Sequence, residues 1–188
     1  MTIEIARWQF SVADYARMLE TGILSEDDQV ELIEGDVRPM SPIGPLHAAI
    51  VKRLNTFLNA ALGGSALVSV QDPIRLSDYT EPEPDLAVVR ARADFYATGH
   101  PQAEDVLLLI EVADTSLDYD RDEKVPRYAR AMVPEVWIVD VHGETVEQYT
   151  NPRTGIYRTI HLLKSGDTLD CVTLPQVRIR LDFILGNE

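Results

Sequence analysis

Cysteine is nearly absent. Cys171 stands alone among 188 residues, which excludes an internal disulfide and any zinc site built on several thiolates. No apolar stretch approaches the ~20 residues that a membrane-spanning helix requires. Basic side chains are scarce: 17 Lys and Arg stand against 31 Asp and Glu, a net charge of −14. A surface of that sign repels phosphate backbones at long range, so a nucleic-acid partner would need a local basic patch or a metal ion to hold it. Internal repeats, low-complexity tracts, Walker and GxGxxG loops and the GxSxG elbow are also missing. Tyr and Trp are too scattered for a single-strand stacking platform. The first seven residues lack a basic stretch followed by an apolar one, so a cytoplasmic protein is expected.

What is present fits one domain over residues 1–188, long enough to bury roughly 70% of its unfolded surface. Ser11-Val12-Ala13-Asp14 reads as a capping box that starts a short helix ending near Gly22. An acidic link, Ser25-Glu26-Asp27-Asp28, leads into a hairpin, Val30-Glu31-Leu32-Ile33 and Val37-Arg38-Pro39-Met40, around Glu34-Gly35-Asp36. Glu31 and Glu34 read there as solvated hairpin charges. The strongest helix signal covers 47–62, with Val51, Leu54, Leu58 and Leu62 on one face and Gly63-Gly64 as the stop. Strands are expected at 66–70, 74–76, 86–89, 106–112 and 136–139. A basic helix over about 122–132 must start near Lys124, because Pro126 is tolerated only in a first turn. Segments 146–149 and 157–163, with a turn at Ser165-Gly166-Asp167, read as a C-terminal antiparallel meander. This order predicts an α/β (α+β) domain, a mixed central sheet covered by helices.

Two acids carry the chemistry. Asp85 opens the strand in Glu83-Pro84-Asp85-Leu86-Ala87-Val88-Val89, and Glu111 lies near the end of Val106-Leu107-Leu108-Leu109-Ile110-Glu111-Val112. An acid at the end of a buried strand is costly to desolvate and needs a cation, a donor or a metal ion. Adjacent strands lie ~4.8 Å apart, so acids at matching ends can share one ion. Mg²⁺ (or Mn²⁺) suits such hard oxygen ligands, with the Val112 carbonyl as a third. The plainer alternative is that Asp85 caps a turn after Pro84 and Glu111 pairs with an arginine. Lys124 and Tyr128, four residues apart, share a helix face and could orient water, phosphate or each other; otherwise they belong to a solvated face. His47, on the apolar face of the long helix, is either a satisfied core residue, a further ligand or a phosphate contact. Arg121, Lys124, Arg127 and Arg130 form the densest basic cluster, expected as a positive strip beside the two acids that side-by-side copies in a homodimer could double.

These segments together resemble the putative restriction-endonuclease family of the PD-(D/E)xK nuclease superfamily. The resemblance runs from Val30-Glu31-Leu32-Ile33-Glu34-Gly35-Asp36 and Met40-Ser41-Pro42 through His47, the Pro84-Asp85 and Glu111-Val112 segments, and Asp120-Arg121-Asp122-Glu123-Lys124-Val125-Pro126-Arg127-Tyr128. It ends at Val133-Pro134-Glu135-Val136-Trp137-Ile138-Val139-Asp140. It implies a restriction-endonuclease-like fold and a metal-dependent endonuclease, with DNA the expected substrate and Asp85 and Glu111 as metal-binding carboxylates. The superfamily lysine belongs two residues after the second acid, where this chain has Ala113; the resemblance implies that Lys124 takes its place. Lys124 and Tyr128 are similar to the QxxxY element of RecB-like nucleases with lysine for glutamine, and His47 to the histidine of the preceding helix. A non-catalytic interaction or regulatory module on the same fold, and a hydrolase of a small phosphoester, are the competing readings.

Overall fold

The computed structural model describes residues 7–25 and 27–187; the first six residues and Glu26 of the acidic link lie outside it. The capping box is in place. Ser11 Oγ accepts the Asp14 N–H at 3.1 Å, and the Asp14 carboxylate accepts the Ser11 N–H at 3.0 Å, opening α1 (Val12–Glu20). Helix α1 packs Val12 and Tyr15 on Leu32 of a hairpin made by β1 (Val30–Ile33) and β2 (Asp36–Pro39). Its two-residue loop, Glu34-Gly35, has positive φ at both positions, the twist a tight hairpin requires.

Pro45 starts α2 (Pro45–Leu62) and Gly63, in the left-handed region, ends it. The six-stranded sheet follows chain order: β3 (Ala66–Val70), β4 (Leu86–Arg90), β5 (Val106–Ala113), β6 (Glu135–Asp140), β7 (Thr145–Arg153) and β8 (Ile156–Lys164). Only β5 and β6 are parallel, which requires a crossover between them. Helical chain supplies it: α3 (Leu117–Tyr119), a π-helical turn Asp120–Lys124, and α4 (Val125–Arg130). One face of the sheet is covered by α2 and by the C-terminal β9 (Thr168–Asp170), β10 (Arg178–Arg180) and α5 (Leu181–Leu185). Val125, Tyr128 and Ala129 of α4 cover the other face. Burial on both faces explains why β5 is an almost unbroken aliphatic run.

The expected C-terminal antiparallel meander is present as β6–β7–β8, and it continues the central sheet, while β9 and β10 pair apart from it. Two expectations need correction. Residues 74–76 form no strand: Ile74 is fully buried, but its N–H and that of Arg75 bond to the carbonyls of Pro82 and Pro101 in irregular chain. Helical chain does not begin near Lys124, where α4 starts, but already at Leu117. Pro126 is accommodated because the turn before it is widened, with the Val125 N–H reaching the Asp120 carbonyl five residues back.

Glu135 anchors the C-terminal layer to β6. It is fully buried with no cation paired to it among the described residues. Its carboxyl oxygens accept from Trp137 Nε1 (2.8 Å), Gln148 Nε2 (2.7 Å) and the N–H groups of Val172 and Thr173 (both 2.9 Å). Glu135→Ala should cost about 3 kcal/mol or more, because it orphans several buried donors at once. Urea unfolding that leaves stability within error of the parent would show that the anchor carries no weight.

Candidate active site

The register places the two acids. Leu86 pairs with Ile110 in the antiparallel β4–β5 ladder, so one step further Asp85 faces Glu111. Alternation puts both on the face that carries Ala87 and Leu109, beneath the crossover helix. Asp85 precedes the first residue of β4, which leaves the Val112 N–H without a strand partner; it donates to Asp85 Oδ2 at 2.8 Å. Asp85 Oδ1 lies 2.9 Å from His47 Nε2, and Gln71 Nε2 donates to it at 3.3 Å. His47, in the first turn of α2, thus reaches Asp85 itself, while its Nδ1 is buried without a partner among the described residues. The hydrogen bond to Asp85 raises the imidazole pKa against the opposing effect of burial.

Glu111 is 2% exposed. Tyr128 donates its hydroxyl to Oε1, and the Lys124 ammonium sits 3.3 Å from Oε1 and 3.4 Å from Oε2. Burial pushes the Glu111 pKa well above the carboxylate range; Lys124 pulls it down, while Asp120 and Asp85 push it further up. Lys124 is 6% exposed. Burial acts to strip its proton, yet Glu111, Glu31, Asp120 and Asp85 together hold its pKa above the usual lysine value. The spacing of Lys124 and Tyr128 therefore puts both on one acid, and neither belongs to a solvated face.

Two further acids join this site, and the sequence reading missed both. Glu31 is not a solvated hairpin charge: it is 1% exposed, its Oε2 is 3.3 Å from Lys124 Nζ, and Tyr119 donates its hydroxyl to Oε1 at 3.1 Å. The signal was present, since Val30-Glu31-Leu32-Ile33 embeds an acid among aliphatics much as β5 embeds Glu111. Asp120, in the π-helical turn, is 3% exposed and accepts from Ser116 Oγ at 2.6 Å. Nothing in the charged run Asp118–Lys124 distinguishes it from a solvated face, so only the wide turn that turns it inward reveals it. Burial raises its pKa to about 6, with Lys124 and Ser116 pulling down and Asp85 and Glu31 pushing up.

A folded-state pKa above the unfolded value of 3.8 means that the Asp120 contribution to stability is complete below pH 3.8 and is lost as pH rises through about 6. Asp120→Asn should therefore stabilise the metal-free protein at pH 8 by about 2 kcal/mol, some 5 °C in melting temperature, and change little at pH 4. Melting curves in chelator at both pH values test this; equal shifts would contradict it.

The four cations of the expected positive strip are each paired with a carboxylate among the described residues. Arg127 pairs with Glu34 (2.7 Å) and Glu123 (3.1 Å), Arg130 with Glu34 (2.7 Å), and Arg121 with Glu147. In so acidic a chain each of these guanidiniums has a carboxylate beside it. What opens beside the acids is a cleft of about 1000 Å³, lined by Glu31, His47, Asp85, Glu111, Asp120 and Lys124 among others. Among the described residues, no three His, Cys, Asp or Glu side chains are gathered closely enough to cage a metal ion by themselves. No described helix is long and apolar enough to cross a membrane.

Residues 12–182 match the family model Uma2, described as a putative restriction endonuclease. The chain belongs to that family. Among solved structures, the Uma2 chain matches the crystal structure of a putative nuclease belonging to DUF820 from Anabaena variabilis, with a TM-score of 0.74. The match covers 94% of this chain and 98% of that one at 14% identity, a likeness of fold. No curated protein matches the chain. Family membership supports a nuclease, and the mixed sheet with its helical cover is the fold that the sequence resemblance implied.

Proposed function

We propose that the protein is a metal-dependent endonuclease that hydrolyses phosphodiester bonds, with DNA as its substrate. The observation that carries this reading is the pairing of Asp85 and Glu111 across β4 and β5, with Lys124 on Glu111 and His47 on Asp85, in the wall of a cleft of about 1000 Å³. The residues suit a divalent ion. Asp85, Glu111, Glu31 and Asp120 all act on the single ammonium of Lys124, which leaves an excess of negative charge. Mg²⁺ is ordinarily held by one or two carboxylates with waters and phosphate completing its shell, and Asp85 and Glu111, opposite one another in the β4–β5 register, supply that number.

Asp85 and Glu111 would hold the ion, with the Val112 carbonyl as a further oxygen. A bound divalent ion supplies Lewis-acid polarisation of the phosphate and a water of lowered pKa. His47 Nε2 and the Val112 N–H fix the two oxygens of Asp85, and the Tyr128 hydroxyl fixes Glu111. Lys124 supplies the charge near the attacking water and the developing phosphorane, a role the superfamily gives to a lysine where this chain has Ala113.

A hydrolase of a small phosphoester is the second reading, favoured by the ion-paired state of Arg121, Arg127 and Arg130, which leaves little cation for a long backbone. One assay separates them: plasmid, single-stranded and oligonucleotide substrates beside p-nitrophenyl phosphate esters, each with Mg²⁺, Mn²⁺ or chelator. Metal-dependent nicking or cutting of DNA supports the first reading. Turnover of the small ester alone supports the second, and no turnover of any substrate favours a non-catalytic module.

A further inference from the structure

Glu31 comes from β1, in a hairpin separate from the sheet that carries Asp85 and Glu111, and is nonetheless directed at the same ammonium. Lys124 Nζ lies 3.3 Å from Glu31 Oε2, 3.3 Å from Glu111 Oε1 and 3.4 Å from Glu111 Oε2, shared almost evenly between the two carboxylates. Glu31 is itself fixed, by the Tyr119 hydroxyl at 3.1 Å on Oε1 and the Glu83 N–H at 3.2 Å on Oε2. The other acids that act on Lys124 have partners of their own: Asp120 holds Ser116, and Asp85 holds His47 and Val112.

We propose that Glu31 is a positioning residue that gives Lys124 a second anionic seat, so that Glu111 can take a divalent ion while the lysine stays in the site. This rests on the metal-dependent reading above. Glu111 cannot neutralise two cations. With Glu111 as its only anchor, a buried ammonium would lose its partner whenever the ion bound, at a desolvation cost of several kcal/mol, and would repel the ion besides. The lysine and the metal would then exclude one another. With Glu31 present, Lys124 keeps a partner in either state.

Calorimetric titration of the full chain with Ca²⁺ and with Mn²⁺ tests this without requiring turnover. Glu31→Gln should weaken binding by about tenfold or more, because Lys124 then competes for Glu111. Lys124→Met should bind at least as tightly as the parent. In the double variant the loss should vanish, leaving affinity within about twofold of Lys124→Met alone. That last comparison stands even if Glu31→Gln alone does not fold, since the double variant removes one charge of each sign.

Parent-like affinity in Glu31→Gln overturns the proposal. So does a tenfold drop caused by Glu31→Gln in the Lys124→Met background, which would make Glu31 act on the ion directly. Absence of binding to the parent protein overturns the metal-dependent reading and this inference with it. Binding to the parent with no coupling between the two residues overturns this inference alone.

Discussion

Asp85→Ala should abolish divalent-metal binding and hydrolysis together, with turnover falling by about a thousandfold or more. Asp85 has no substitute at its position. It is the one acid that meets Glu111 through the β4–β5 register, and Val112 and His47 fix its two oxygens. Its loss leaves Glu111 with Lys124 already upon it and with no carboxylate opposite it in the β4–β5 register. Asp85→Asn is the stricter variant, since it preserves size while removing the charge. Calorimetry with Ca²⁺ and cleavage assays with Mg²⁺ should fail in both variants, while circular dichroism matches the parent. Cleavage that survives in Asp85→Asn at parental rates would remove Asp85 from the chemistry.

Lys124→Met should separate what Asp85→Ala joins. Methionine fills the volume of the lysine stem but leaves Glu111, Glu31, Asp85 and Asp120 without the cation they share. Removing one partner of a buried ion pair ordinarily costs about 3–5 kcal/mol, so the metal-free variant should be markedly destabilised at pH 8. The penalty should shrink at pH 5, because Glu111 and Asp120, whose pKa values are raised, take up protons instead. Ca²⁺ should restore stability by supplying the missing charge. Hydrolysis should still fall by about a hundredfold or more, since the lysine charge near water and phosphate is gone. Urea denaturation with Ca²⁺ or chelator, beside cleavage kinetics, gives both readouts. Equal loss of metal binding and turnover would refute this division of roles.

The strand ends show how far pattern reading reaches. An acid within aliphatics stands out because burying it uncompensated is expensive, and that logic led from β5 to Glu111. The same logic applied to Val30-Glu31-Leu32-Ile33 would have found Glu31, but a lone hairpin taken in isolation has one wet face. That face is covered by the crossover, whose Tyr119 and Lys124 both reach Glu31. The arginines of α4 failed in the opposite sense: a basic cluster in sequence is not a basic surface where Glu34 and Glu123 stand close by.

The sequence by itself determined the helices and strands of the central layer, the face each buries, and the two acids at neighbouring strand ends. Apolar periodicity and the cost of burying charge act over a few residues, so they can be read locally. Only the tertiary structure decided that Lys124 serves two carboxylates, that Asp120 faces inward and that His47 reaches Asp85. The widened turn before Pro126 turns Asp120 and Lys124 into the protein, and the hairpin brings Glu31 across 93 residues of chain to meet the same ammonium. Those contacts depend on how the hairpin, the sheet and the crossover dock on one another, and no local pattern records that geometry.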